Sequence, residues 1–212
     1  MSRIRLAFLV STLGRTGPTR QLYNLVKYID HEQFVASIVT LSDNPTENLE
    51  VDFKALRTKI YPIQLSRLKS ALIGTRPLKR VLREIQPDIL HSQGLRADWL
   101  ASRLDQPPIR IATQRNTPLS DYPSLMGRWT GKLAAIVHEQ ALSSLPMVVT
   151  CSEAIAHNNT CRRNDSCIIR NGVDLASLRP PFDPSTNSTR RVELGLPEKK
   201  RLFIFAGPLI PR

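Results

Sequence analysis

Long apolar runs are missing from this sequence: no stretch approaches the roughly 18–20 residues that a membrane-spanning helix needs. A secretory leader is not expected either. Arg3 and Arg5 precede the apolar run Leu6–Val10, but that run falls short of the ~7–15 residues of a signal-peptide core, and no small-residue cleavage site follows it. The segment reads as a buried first strand, and the cytoplasm is the expected location. Cysteine is scarce too. Cys151, Cys161 and Cys167 form no C-x-x-C pair and have no histidine at a zinc spacing, and their odd number argues against a disulfide framework. Reduced thiols are expected, with no metal and no cofactor. The sequons at Asn158, Asn164 and Asn187 carry meaning only in a secreted chain.

Acidic residues are absent where basic ones gather. The formal net charge is +12, and from Lys54 to Arg83 there are nine Lys or Arg and no Asp or Glu. Such a balance calls for a polyanionic neighbour: nucleic acid, a phosphorylated substrate or an anionic lipid surface. Aromatic residues are sparse in that block, where only Tyr61 interleaves the basic positions, which argues against stacking on single-stranded nucleic acid. The apolar and basic residues of Pro77–Ile85 separate as on a surface or interfacial helix. Lys69, Arg76, Lys79, Arg80 and Arg83 are the candidate contacts to an anionic membrane surface, the other reading being a solvated basic face.

What is present is an alternation of short buried strands and amphipathic helices. Ile4–Val10, Val35–Leu41, Ile60–Ile63, Asp88–His91, Ile109–Thr113, Met147–Thr150 and Cys167–Arg170 read as strands. Between them, Leu22, Leu25, Val26 and Ile29 fall at i, i+3, i+4 and i+7, one helical stripe. Leu78, Val81, Leu82 and Ile85 make another, with Pro77 tolerated in the first turn. Leu95–Leu104 and a long Leu125–Leu145 are further helices, and Ser152 is a predicted N-cap. Repeated strand–helix–strand units favour a doubly wound, Rossmann-like parallel α/β sheet. From Asp174 to Lys200 the chain turns polar and proline-rich, with a short helix expected at Thr189–Leu194. Leu202–Ala206 then reads as a fresh strand. The expected organisation is a first domain over 1–175, a linker over 176–200, and at 201–212 the opening strand of a truncated second domain.

Five segments in order carry a resemblance. They are the loop from Gly14 through Gly17 to Arg20, the segment from Pro87 through His91 to Gly94, the segment from Val148 through Ser152 and Glu153, the turn Ile168 to Asp174 containing Asn171-Gly172, and the closing Phe203 to Gly207. Together they resemble the retaining glycosyltransferases of the GT-B fold, family 4 type, over essentially the whole chain and as its amino-terminal half. The resemblance implies transfer of a hexose from a nucleoside-diphosphate sugar to a glycan or lipid-linked acceptor, in cell-envelope polysaccharide synthesis such as lipopolysaccharide or capsule, without a metal. It implies substrate-binding roles for Gly17, Arg20, His91, Ser152, Glu153 and Asn171. The family's Gly-Gly pair is here Thr16-Gly17, so one glycine is replaced. The two glutamates of the family's E-x7-E element belong to the second domain, so no catalytic residue is expected in this chain. The arginine that usually follows the closing glycine is replaced by Pro208, which leaves Arg212 as a candidate donor-phosphate contact. The isolated chain is accordingly expected to be inactive, awaiting a missing carboxy-terminal domain or a partner chain. Two other readings remain: a non-catalytic acceptor-binding or membrane-anchoring subunit of a split transferase, and a nucleic-acid-binding α/β domain favoured by charge alone.

Overall fold

The computed structural model describes residues 2–66, 74–105, 108–158, 167–177, 187–197 and 200–203. The chain divides after Val173 into two units. In the first, seven strands form one all-parallel sheet: β1 (Ile4–Val10), β2 (Phe34–Thr40), β3 (Lys59–Pro62), β4 (Ile89–Ser92), β5 (Ile109–Gln114), β6 (Met147–Thr150) and β7 (Cys167–Ile168). Their spatial order is β3-β2-β1-β4-β5-β6-β7, so the winding reverses between β1 and β4. The helices are α1 (Gly17–Tyr28), α2 (Glu50–Ala55), α3 (Thr75–Ile85), α4 (Leu95–Ser102), α5 (Pro118–Met126), α6 (Arg128–Ser143) and α7 (Glu153–His157).

Alternate side chains on each central strand enter different cores, which is why β1 reads as a continuous apolar run. Leu6, Phe8 and Val10 pack with Ile38, with Leu22 and Val26 of α1, and with Phe53 of α2. Ala7 and Leu9 face the other way, joining Leu90, Ala112 and Val148 under Leu78 and Leu82 of α3, Leu100 of α4 and Leu142 of α6. Burying each such leucine or phenylalanine contributes about 2 kcal/mol. The sheet is thus covered on both faces, as a parallel sheet requires.

The seven strands expected between residues 4 and 170 are present, with their limits shifted by a residue or two. β7 is shorter than the expected Cys167–Arg170, pairing only over Cys167–Ile168. Two helical expectations need correction. Glu50–Ala55, not among the expected helices, is helical, with Phe53 fully buried as its one anchor. The single helix expected over Leu125–Leu145 is instead the carboxyl end of α5 and all of α6, broken at Gly127. There φ is +85°, a conformation open to glycine. The two helices then pack back to back, so closely that a Cβ on Gly131 would lie 2.3 Å from the Tyr122 carbonyl oxygen.

The second unit holds a 3-10 turn at Leu175–Ser177 and α8 (Asn187–Glu193), which overlaps the expected short helix. Arg191 of α8 donates to the carbonyls of Pro197 and Lys200, both at 2.8 Å. Leu202 and Phe203 carry no regular structure. The rest of the expected strand lies outside the described residues, as do Lys69 and Arg212. Among the described residues no helix is long and apolar enough to cross a membrane.

Candidate functional site

In an open parallel sheet the strand-to-helix loops leave the carboxyl edge, and the loops diverge where the winding reverses. Here that point lies between β1 and β4. A cavity of about 400 Å³ opens there, walled by Val10–Thr12 after β1, Gln93 and Gly94 after β4, and Thr113–Asn116 at the end of β5. A larger hollow of about 830 Å³ lies at the opposite, amino edge among Arg5, Lys79, Arg83 and Asp105. Of these two, the smaller gathers loops from both halves of the winding and is the candidate site.

Its wall nearest α1 is built by local capping. Thr16 is extended and its hydroxyl accepts from the Thr19 amide at 3.4 Å, which starts the helix at Gly17 and Pro18. Thr16, Pro18 and Thr19 line the cavity, and the first turn of α1 has no acidic side chain to oppose an anion. A Cβ added to Gly17 would meet nothing within 4 Å, so the backbone there is open to close approach. Arg20, one turn on, is exposed beside the Tyr23 ring and does not line the cavity.

The opposite wall offers hydrogen-bond donors. Gln93 is 8% exposed, and its Nε2 has no partner among the described residues. Arg115 donates through one terminal nitrogen to the Asn171 side chain, while its Nε is buried without a partner among them. Burial lowers the Arg115 pKa from the ordinary arginine value. Gln21 of α1 donates to the Gly172 carbonyl at 2.8 Å, so the 171–172 segment is held between α1 and Arg115. Unpaired buried donors are costly in a folded protein, and the two at this cavity suit a ligand rich in acceptors.

His91 lies one layer behind this wall. Its ring packs on Phe8 with centroids 5.3 Å apart, and its Nε2 is 2.7 Å from the Thr113 hydroxyl, which does line the cavity. Burial, with the nearby Arg115 cation adding to it, pulls the His91 pKa down to about 4. At neutral pH the ring is therefore uncharged: it orients Thr113 and carries no positive charge for a phosphate. Ser152 caps α7, accepting from the Ile155 amide at 3.3 Å. Glu153 is exposed and paired with Arg170 at 2.7 Å. Neither lines the cavity.

Sequence reasoning missed the cavity's inner support. His138 is buried with Tyr122 and Asp98. Tyr122 OH is 2.7 Å from His138 Nδ1, and His138 Nε2 is 2.8 Å from Asp98 Oδ2. Burial, the largest cause, raises the Tyr122 pKa to about 12, so its hydroxyl stays protonated. With the proton on Nε2, His138 accepts from Tyr122 and donates to Asp98. Tyr122 and His138 reach the cavity wall, and the chain of bonds ties α5, α6 and α4 together. The only sequence signal is that 131, 135, 138 and 142 share one face of α6.

A parallel sheet whose winding reverses beside a cavity at its carboxyl edge defines a doubly wound α/β lobe. The chain belongs to Glycosyltransferase Family 4, whose family model matches residues 15–177. Among solved structures it is similar to sucrose-phosphate synthase from Thermosynechococcus elongatus, at 14% identity and TM-score 0.68 over 92% of this chain and 53% of that one. HepE of Anabaena, solved in complex with UDP, matches at 14% identity and TM-score 0.66, covering 91% of this chain and 50% of its own. The lipopolysaccharide outer core galactosyltransferase WaaB in its apo form matches at 13% identity and TM-score 0.62, over 85% and 49%. The fold is that of one lobe of a GT-B glycosyltransferase, and the chain spans about half the length of these neighbours. No curated protein sequence matches it at a significant level.

Proposed function

We propose that this chain is the acceptor-side lobe of a glycosyltransferase that moves a hexose from a nucleoside-diphosphate sugar to a glycan or lipid-linked acceptor, in the synthesis of a cell-envelope polysaccharide such as lipopolysaccharide or capsule. The observation that carries this reading is the switch-point cavity, with the α1 N-terminus on one wall and unpaired Gln93 and Arg115 donors on the other. Acceptor hydroxyls would be held by Gln93, Asn116 and Thr113, the last oriented by His91. Sugar transfer leaves negative charge on the departing diphosphate, and donors already in place stabilise it without reorganisation. Gly17 and the cap of α1, with Arg115 across the cavity, would take that role. Arg20, Ser152, Glu153 and Asn171 would bind at the rim, and Arg212 would meet the donor phosphates. The UDP in the HepE neighbour supports a nucleoside diphosphate as the leaving group.

The donor lobe would come from the remainder of a longer polypeptide or from a partner chain, and the protein would work in the cytoplasm at the inner membrane face. There Arg76, Lys79, Arg80 and Arg83, all exposed on α3, would meet anionic lipid together with Lys69. A second reading, a non-catalytic subunit that holds the acceptor or anchors a donor-binding partner, is favoured by the same half-length match.

Purified chain mixed with lipid-linked acceptor and nucleotide sugars should show no appreciable turnover, because one wall cannot hold donor against acceptor. It should still bind acceptor glycan, and Gln93→Ala should weaken that binding by about tenfold, the worth of one to two hydrogen bonds. Robust turnover by the chain alone would overturn the half-enzyme reading. Glycan binding indifferent to Gln93→Ala would overturn the site. Turnover restored by a donor lobe added in trans supports the transferase; binding without turnover in any pairing supports the anchoring subunit.

A further inference from the structure

The hollow of about 830 Å³ at the sheet's amino edge shares no residue with the switch-point cavity, and its size is that of a site for a small organic ligand. β1 contributes Arg5, and α3 contributes Lys79, Leu82 and Arg83. Gln86 and Pro87 follow in the turn to β4, and Leu104, Asp105 and Pro108 come from the segment between α4 and β5. Leu82, Pro87, Leu104 and Pro108 are buried and form an apolar floor, while the charged residues stand exposed at the rim. Arg76 and Arg80, elsewhere on α3, do not line it, so the hollow is more than the basic face of that helix.

Positive charge exceeds negative at this rim. Arg5 leans on Asp88 at 3.7 Å, and Lys79 meets Asp105 at 2.7 Å. Lys79 holds the Asp105 carboxyl below the usual carboxylate range, with the Arg110 cation assisting from nearby. Arg83 has no hydrogen bond or ion pair among the described residues. Cations often gather where helices end, because they offset the last carbonyls. The hydrogen-bonding part of that need is already met here. The Gln86 amide donates to the Leu82 carbonyl at 2.7 Å, and Arg110 donates to the carbonyls of Ala101 and Leu104 at 3.3 and 2.6 Å. Gln86 itself has φ +48°, a left-handed cap that glycine adopts more readily. Its Oε1 accepts from Arg5 Nη1 at 3.3 Å, so this strained position carries a side chain that steadies Arg5 over the hollow.

We propose that the amino-edge hollow is a second binding site, for a small soluble phosphate monoester with an apolar or planar body. Near neutral pH such a phosphate is close to a dianion, which suits Arg5, Lys79, Arg83 and Arg110 set against only Asp88 and Asp105. Arg83 supplies a whole guanidinium fork, the geometry that grips phosphate oxygens in pairs. The body of the ligand lies on Leu82 and Leu104. The proposal does not rest on sugar transfer, because the hollow and the switch-point cavity open at opposite edges of the sheet.

Phenyl phosphate is the probe, with inorganic phosphate and phenol as controls that lack the ring or the charge. Each is titrated into the full chain without lipid, and binding is followed by calorimetry and by the methyl NMR signals of Leu82 and Leu104. Phenyl phosphate should shift both leucines and bind at least about tenfold more tightly than either control, since only it uses floor and rim together. Arg83→Ala should weaken that binding about tenfold, the loss of a charge-assisted hydrogen bond. Its circular dichroism should not change, because Arg83 holds no other part of the described fold. Lys132→Ala, which removes an equal charge from an exposed position on α6, should leave the affinity as it was. Absence of binding, or equal weakening by Lys132→Ala, would overturn the proposal. Weakening by Gln93→Ala in place of Arg83→Ala would do so too, by putting the phosphate in the switch-point cavity. So would leucine shifts that appear only with phosphatidic acid vesicles, since the phosphate would then be a lipid headgroup.

Discussion

At single side chains, the informative residues are polar ones held out of water. His91 keeps a neutral ring, with its folded pKa at about 4 against about 6.5 in an unfolded chain. The unfolded chain therefore takes up a proton between those values that the folded chain refuses. Stability present above about pH 6.5 should be lost as the pH falls toward 4, by up to about 3 kcal/mol. Denaturation midpoints at pH 7.5 and 5 test this: His91→Gln should flatten the difference while keeping a partner for Thr113. The Asp98–His138–Tyr122 chain makes the second prediction. His138→Ala strands a fully buried carboxylate and should cost roughly 3–5 kcal/mol in urea unfolding, far more than a surface substitution. His91 was visible in the sequence because its strand ends at the loop edge. The buried trio was not, because residues 98, 122 and 138 meet only when two helices fold back on a third.

For helices and strands, the sequence is legible wherever one face does one job. β1 announced itself by an apolar run that both cores need, and α1 and α3 by single stripes. α6 misled because it carries two stripes, one buried and one exposed, which together read as a long uniform helix through Gly127. α2 was silent because six residues hold only one buried anchor, Phe53, amid polar neighbours. Gly131 gives this scale its prediction. Any side chain there meets the α5 backbone, and backbone cannot turn aside as a flexible side chain would. Gly131→Ala should cost roughly 1–3 kcal/mol from overpacking, although alanine favours helix more than glycine does. A destabilised Gly131→Ala variant, set beside a neutral or stabilised alanine at an exposed α6 position such as Gln140, is the outcome expected from thermal melts.

For the molecule as a whole, the charge of +12 is spread over several exposed regions. Attraction to any polyanion should therefore fall steeply with salt. Vesicle binding measured from low to physiological ionic strength should weaken accordingly. The doubly wound parallel sheet was legible from the strand–helix alternation, whereas the order of its strands came only with the fold. The site's donors were not, because Gln93 and Arg115 become notable only when their neighbours fail to satisfy them, and that depends on every loop around the cavity.

Because all seven strands run the same way, the turns that enter them lie at one rim and the loops that leave them at the other. Ligand preference can then be recast by grafting new sequence after β1, β4 or β5, with the scaffold untouched. A reporter domain spliced into the turn between α1 and β2, near His31, would sit at the far rim and leave the cavity open for screening such grafts.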